Sequence, residues 1–205
     1  MPISSPVAGA VAGVVVLAGV VGFAVGLPEL SGEASSEPSG TEQAELPELP
    51  DELPGEIVAA DVVVPEQAEA IVERDESAAA EIESLYDTEA SVRTYFRESR
   101  QSPVQLSVTV AQGEPGLLVP GGPPFDPELE GMARDYYELQ RVGDVQCSVQ
   151  WSQPVPLGEE PDEAVAPAFV ECQGGIDGLV YDVFARGATV EEAVGIIDHI
   201  DETTR

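Results

Sequence analysis

PVQLSVTVA, residues 103 to 111, alternates apolar and polar side chains with a period of two. The apolar side of an extended chain would hold Val104, Leu106, Val108 and Val110. VQCSVQW, residues 145 to 151, repeats this alternation. Each stretch therefore predicts a strand with one buried face, which is typical of an antiparallel sheet covered on one side.

Further strands are predicted on both sides of these two stretches. Gly143-Asp144 is a tight-hairpin signal, and residues 174–178, GGIDG, join the last two strands. The additional strands are expected at residues 92–97, 136–142, 168–173 and 179–185.

Helical patterns flank the run of strands. Residues 65–86 have an apolar stripe at helical spacing, with Pro65 in the first turn. TVEEAVGIIDHI, residues 189–200, begins with Thr189 and Glu192 in the spacing of a capping box. Residues 61–205 are therefore predicted to form an α+β domain, in which an N-terminal and a C-terminal helix pack on the apolar face of an antiparallel sheet of about six strands.

The N-terminus predicts a membrane anchor. Residues 7–26 form an uninterrupted run of Val, Ala, Gly, Leu and Phe, and its 20 residues match the length that a helix needs to cross a bilayer. We expect residues 1–27 to form a transmembrane anchor, with the short N-terminal tail inside and the C-terminal domain outside the cytoplasm. Ala24-Val25-Gly26 also fits a signal-cleavage site, so a secreted protein is the alternative, with a buried core helix as a third reading.

Residues 28–60 are predicted to be a disordered acidic linker rich in Pro, Glu and Leu. The prolines in LPELPDELP, residues 46–54, favour an extended tether over a helix. The alternative is that Leu46, Leu49 and Leu53 dock on a partner or on the domain itself.

Charge limits the partners of this chain. It has 39 acidic residues against 8 basic ones, all arginine, and a formal net charge of −31. Nucleic acid is excluded as a partner, because phosphate binding needs clustered basic residues. The expected partners are the lipid bilayer, through residues 7–26, and an envelope protein, and the oligomeric state stays open.

Cys147 and Cys172 both fall on apolar strand positions, so a disulfide between neighbouring strands is predicted, with two reduced core cysteines as the alternative. A disulfide would fit an exported domain. DPELEG, residues 126–131, resembles the start of a calcium loop, but Tyr137 stands where such a loop needs glutamate, and Asp126 fits a helix N-cap better. No catalytic residue, metal or cofactor is predicted.

The sequence predicts a general class of function but no specific ligand or reaction. Four aromatic residues would supply a binding patch if the second face of the sheet is open: Tyr136, Tyr137, Trp151 and Tyr181. The alternative is that these aromatic residues belong to the core. The class expected from the chain as a whole is an extracytoplasmic binding or interaction module. An exported carboxylate-dependent hydrolase is the alternative, and a structural subunit of an envelope complex is a third possibility.

Several segments carry a resemblance when they are taken together: the uncharged N-terminus, LPDELPGE and the sequence GEPGLLVPGGPPFDPEL followed by VGDVQCSVQW, VECQ, DGLVYDVFA and TVEEAV. With these segments the chain resembles uncharacterised envelope-anchored proteins of high-GC Gram-positive bacteria. The resemblance implies an anchored extracytoplasmic domain and carries no activity.

Overall fold

The period-two stretches form the centre of one antiparallel sheet. A computed structural model describes residues 44–99, 103–162 and 165–204. Within them, eight strands form this sheet in the order β1-β2-β3-β4-β10-β9-β7-β6. The strands are β1 (Glu52–Leu53), β2 (Ile57–Ala59), β3 (Ala90–Arg97), β4 (Val104–Gln112), β6 (Tyr137–Val142), β7 (Val145–Gln150), β9 (Phe169–Ile176) and β10 (Leu179–Arg186). Two short strands, β5 (Met132–Arg134) and β8 (Val155–Pro156), pair separately.

All six predicted strands are confirmed. The sheet has eight strands rather than about six, because the two short strands β1 and β2 were not predicted. These have only two and three residues, too few for a period-two pattern to be recognised. The last hairpin also turns later than expected. Gly174 and Gly175 lie within β9, and the turn is Asp177-Gly178, where both residues have positive φ.

Three α-helices complete the described fold: α1 (Ala60–Val63), α2 (Ala68–Tyr86) and α3 (Val190–Thr204). A 3-10 turn at Pro65–Gln67 precedes α2, and a second one at Pro127–Glu130 is capped by Asp126, whose side chain accepts a hydrogen bond from the Glu128 N–H. The helix-start interpretation of DPELEG is therefore confirmed.

The main core lies between α3 and one face of the sheet. Ile196, Ile197 and Ile200 of α3 are buried against the aliphatic side chains of the central strands. The predicted capping box is present: the Thr189 N–H donates to Glu192 Oε2 (3.0 Å), and the Glu192 N–H donates to Thr189 Oγ1 (3.2 Å). Burial opposes ionisation of Glu192, but hydrogen bonds from Arg97 and from the Thr189 N–H outweigh it and lower the pKa of this carboxyl.

Helix α2 differs from its prediction, because it packs on the opposite face of the sheet. Among the residues of this helix, only Asp75 is buried. Leu85 and Tyr86 were expected to face the core, but each is 74% exposed. The apolar stripe correctly predicted a helix. It did not predict that this helix would pack on the polar face of the sheet.

Part of the predicted linker, residues 44–60, lies within the described residues. From Ala44 onward the chain belongs to the fold, and Leu49, Leu53 and Ile57 are buried in the main core. Arg93 binds this segment through the Leu49 carbonyl (2.6 Å) and Asp51 (2.7 Å). The docking alternative is therefore the correct one for Leu49 and Leu53.

The predicted anchor, residues 1–27, and the part of the predicted linker before residue 44 lie outside the described residues. Among the residues that are described, no helix is long and apolar enough to cross a membrane.

Candidate functional site: a groove on the polar face of the sheet

The two faces of the sheet differ in chemistry. The face toward α3 is aliphatic, whereas the same strands place polar side chains on the other face. These polar positions are Ser107 and Thr109 in β4, Ser148 in β7, Glu171 and Gln173 in β9, and Asp182 in β10. All six side chains are at least half-buried, a departure from simple apolar-in, polar-out patterning that is most often found at functional sites.

One end of this polar face is covered by a loop, residues 113–125. The Gly116 N–H donates to Gln173 Oε1 (3.0 Å), so Gln173 holds the loop on the sheet. Pro115 lies directly over Gly175, where any Cβ would collide with the proline ring. Glycine at position 175 therefore permits the close approach of the loop.

The other end is covered by α2, which is held there by Asp75. Asp75 Oδ2 accepts from the Thr94 N–H (2.8 Å), and Oδ1 accepts from the Thr94 hydroxyl (2.9 Å). Arg74 donates to Asp75 Oδ1 (3.0 Å) and to Thr94 Oγ1 (2.7 Å). This polar network, rather than apolar packing, fixes the position of the helix above β3.

An open groove of about 430 Å³ lies between α2 and the sheet. Its volume is within the range of small-molecule sites. The lining residues are Arg74, Asp75, Ala78, Ile82, Val92, Thr94, Gln105, Leu106, Ser107, Thr109, Phe169, Phe184 and Arg186.

An aromatic pair forms one wall of the groove. The rings of Phe169 and Phe184 stack with centroids 5.5 Å apart, and the Arg186 guanidinium lies 4.7 Å from the centroid of Phe169. Phe184 is 41% exposed, although it is a large apolar side chain in the middle of a strand. Within the described part of the chain Arg186 makes no ion pair, so no carboxylate neutralises its charge beside the stacked rings.

Two carboxylates lie next to this wall. Asp182 is the register partner of both Gln173 and Thr109, and Glu171 is the partner of both Ser148 and Phe184. Burial, together with the negative charge of Glu171, raises the pKa of Asp182 to about 7, although a hydrogen bond from Gln173 partly opposes the shift. Burial also raises the pKa of Glu171.

Ser148 lies beside Glu171 with its hydroxyl unsatisfied. The residue is 1% exposed, and its Oγ has no hydrogen-bond partner within the described chain. A buried hydroxyl without a partner is costly and calls for an explanation. Glu171 and Ser148 are register partners on the polar face of the sheet, and neither they nor Asp182 line the groove itself.

The predicted cysteine pair lies on the other side of the same strands. Cys147 and Cys172 are joined by a disulfide, are register partners with Cα atoms 4.1 Å apart, and are fully buried in the main core. The predicted disulfide is confirmed. It links β7 to β9, the strands that carry Ser148 and Glu171.

The predicted aromatic patch does not form. Tyr181 is buried in the main core, Trp151 lies under the Arg134 guanidinium at 3.7 Å, and Tyr136 is 53% exposed. The aromatic pair that lines the groove, Phe169 and Phe184, was missed. Its signal was available in the sequence, since both residues fall on the non-core side of predicted strands, where a large apolar residue is unexpected.

No protein-family model, curated protein or solved structure matches this chain. Among the described residues, no group of three or more His, Cys, Asp or Glu side chains is arranged to hold a metal ion. The interpretation of the site therefore depends on its own geometry.

Proposed function

We propose that this chain is a single-pass membrane protein that presents a small extracytoplasmic binding module, and that its ligand site is the groove between α2 and the polar face of the sheet. The observation that carries the proposal is the stacked aromatic pair Phe169 and Phe184, of which Phe184 is 41% exposed, in a groove of about 430 Å³. Concave sites with apolar walls and a few polar groups are the usual form of small-molecule sites.

Three sequence features support the location. Residues 7–26 are long enough to span a bilayer, the acidic residues after them favour a solvated tether, and the cysteine pair suits an oxidising compartment. The family resemblance implies the same location.

The location is tested on intact cells, with external protease and with a membrane-impermeant thiol reagent. We expect the full-length chain to stay in the membrane fraction, to be cut from outside, and to react at Cys147 and Cys172 only after reduction. A shortened chain in the medium would instead support the secreted alternative. Protection from protease, together with thiols that react without reductant once the cells are opened, would contradict both the orientation and the exported state.

The binding site is tested by a fragment screen on the full-length protein, with ligand-induced NMR shifts as the readout. We expect hits to perturb the Ile82 methyl groups, and F184A to weaken them by about tenfold, since stacking on an aromatic ring and burial of its apolar area contribute on the order of 1–2 kcal/mol. F125A is the matched control, because Phe125 is 49% exposed but does not line the groove. Hits that perturb other regions, or that lose as much affinity in F125A, would contradict the proposal.

A hydrolase is the second candidate, and the neighbouring carboxylates Glu171 and Asp182 favour it. Acid–base catalysis needs carboxyl groups whose pKa values are shifted toward neutrality, as that of Asp182 is. Assays with chromogenic ester, glycoside and phosphate substrates test this candidate. Turnover that is lost in both E171Q and D182N but kept in E191Q would favour the hydrolase over a binding module without activity.

A further inference from the structure

We propose that the groove binds a small aromatic carboxylate, with the carboxylate group on the Arg186 guanidinium and the ring of the ligand against Phe184. This inference rests on the proposed function and specifies the chemistry of the ligand. The side chains that line the groove favour this class of ligand, although the chain as a whole is strongly acidic.

The groove is locally cationic. The chain has 39 acidic residues against 8 basic ones, yet two arginines, Arg74 and Arg186, line the groove. Asp75 is the one carboxylate among the described lining residues, and it already accepts hydrogen bonds from Arg74 and from the Thr94 N–H. The lining side chains therefore carry one net positive charge, and a cleft with an excess of one charge attracts a ligand of the opposite charge.

Two further acids lie on the same face of the sheet but do not line the groove. Glu171 is the register partner of Phe184, and Asp182 is that of Thr109. Burial raises the pKa of both carboxyl groups, that of Asp182 to about 7. Below this pH a large share of Asp182 is protonated, which reduces the negative charge near a bound anion.

Arg186 presents its guanidinium to a ligand. The guanidinium lies over the ring of Phe169, 4.7 Å from the ring centroid, and this cation–π contact favours one position of a long side chain. Among the described residues three other arginines form ion pairs with carboxylates, but Arg186 forms none. A guanidinium stacked on a ring keeps N–H donors around its edge, and two of them match the two oxygens of a carboxylate.

The neighbours of Arg186 fit the remainder of such a ligand. Gln105 is the register partner of Arg186, and Ser107 is that of Phe184, so an amide and a hydroxyl lie beside the guanidinium and the ring. Phe184 is 41% exposed, and Ile82 also lines the groove. An aromatic ring of the ligand would stack on Phe184 and bury apolar area against both side chains.

The test uses three water-soluble probes of similar shape: 3-phenylpropanoate, 2-phenylethanol and 2-phenylethylamine. Each is titrated by calorimetry into the full-length protein in mild detergent at pH 6. Physiological ionic strength is used, because it largely screens exposed charges farther than about 8 Å from the ligand. We expect the carboxylate to bind at least tenfold more tightly than the alcohol or the amine, since charge-assisted hydrogen bonds are about twice as strong as neutral ones.

Substitutions of arginine assign the effect to one side chain. R186M keeps an unbranched apolar stem but removes the guanidinium, so it should weaken the carboxylate by about tenfold and leave the alcohol unchanged. R186K keeps the positive charge and should bind the carboxylate more tightly than R186M. R141M is the matched control, because Arg141 is an exposed arginine of β6 that does not line the groove, and its loss changes the net charge equally. R141M should bind all three probes like the wild type.

The outcomes distinguish this inference from the proposed function. If the alcohol or the amine binds as tightly as the carboxylate, and F184A weakens that binding, the carboxylate site is wrong but the binding groove stands. Equal losses of carboxylate affinity in R186M and R141M would show an effect of net charge alone and would also overturn the inference. If no probe binds, the inference fails, and the fragment hits near Ile82 decide separately whether the groove is a binding site.

Discussion

At the scale of single residues, Asp75 is the side chain on which the position of α2 depends. Both carboxylate oxygens accept hydrogen bonds from Thr94, and Asp75 is only 6% exposed. We expect D75A to lower the free energy of unfolding by about 2–3 kcal/mol, because the Thr94 N–H would remain buried without a partner. Urea denaturation measures this change.

The neighbouring exposed residue provides the control for Asp75. E76A removes a carboxylate one position along the same helix and should change stability by less than about 0.5 kcal/mol. Equal effects of D75A and E76A would show that the Asp75–Thr94 network contributes nothing specific.

Asp182 leads to a prediction about pH. Its pKa is about 7 in the folded protein, well above that of an unfolded aspartate, so between about pH 4 and pH 7 the folded state binds a proton that the unfolded state has lost. Stability is therefore expected to fall as pH rises through this window, by at most about 1.4 kcal/mol per unit for one proton, and to level off above it. Glu171, the diagonal neighbour of Asp182 in β9, adds to the same trend because its pKa is also raised.

The variant D182N isolates this contribution. Asparagine cannot ionise, so the unfolding free energy of D182N should decrease less as pH rises. D182N should therefore be more stable than the wild type at pH 8. Urea denaturation at pH 4 to 8 measures the difference, with E191Q as a control that should follow the wild type. If the unfolding free energies of wild type and D182N changed with pH in parallel, the folded protein would not raise the pKa of Asp182.

At the scale of the elements, the disulfide holds the strands behind the candidate site. Cys147 and Cys172 close a loop with a sequence separation of 25 residues. The chain-entropy model gives about 3–4 kcal/mol for such a loop, so C147A/C172A should lose about this much unfolding free energy. Wild type and variant are compared in urea with and without reductant, and a wild type that keeps its full stability when reduced would contradict the expectation.

Sequence patterns predicted the strands and helices better than they predicted which elements cover each face of the sheet. The alternation in residues 103–111 and 145–151 identified the buried face, because one apolar face per strand is a local property. The polar face could not be interpreted in this way, since Ser148, Glu171 and Asp182 have the pattern of solvent-exposed positions. What covers this face is set by tertiary contacts, such as the hydrogen bond from the Gly116 N–H to Gln173 and those of Asp75 with Thr94, which no local pattern predicts.

At the scale of the whole molecule, burial rather than composition shows that residues 44–60 belong to the folded domain. The prolines of residues 46–54 are typical of an extended tether, and the segment is not helical where it is described. Leu49 and Leu53 are nevertheless 5% and 2% exposed, because an extended segment can still insert alternate side chains into a core. Composition alone therefore placed the start of the domain too late.

Two truncated chains test this boundary. A chain that begins at Gln43 keeps every buried residue of the described fold and should unfold with nearly the free energy of the full-length protein. A chain that begins at Asp61 loses Leu49, Leu53 and Ile57, each of which contributes about 1.5–3 kcal/mol by burial, as well as the backbone and Asp51 partners of Arg93. This loss approaches the total stability of a typical domain, about 5–15 kcal/mol, so we expect the shorter chain to lack cooperative unfolding and near-ultraviolet circular dichroism. If the chain from Asp61 unfolded at the same urea midpoint as the chain from Gln43, residues 44–60 would not contribute to the stability of the domain. The core between α3 and the remaining strands would then be sufficient for folding.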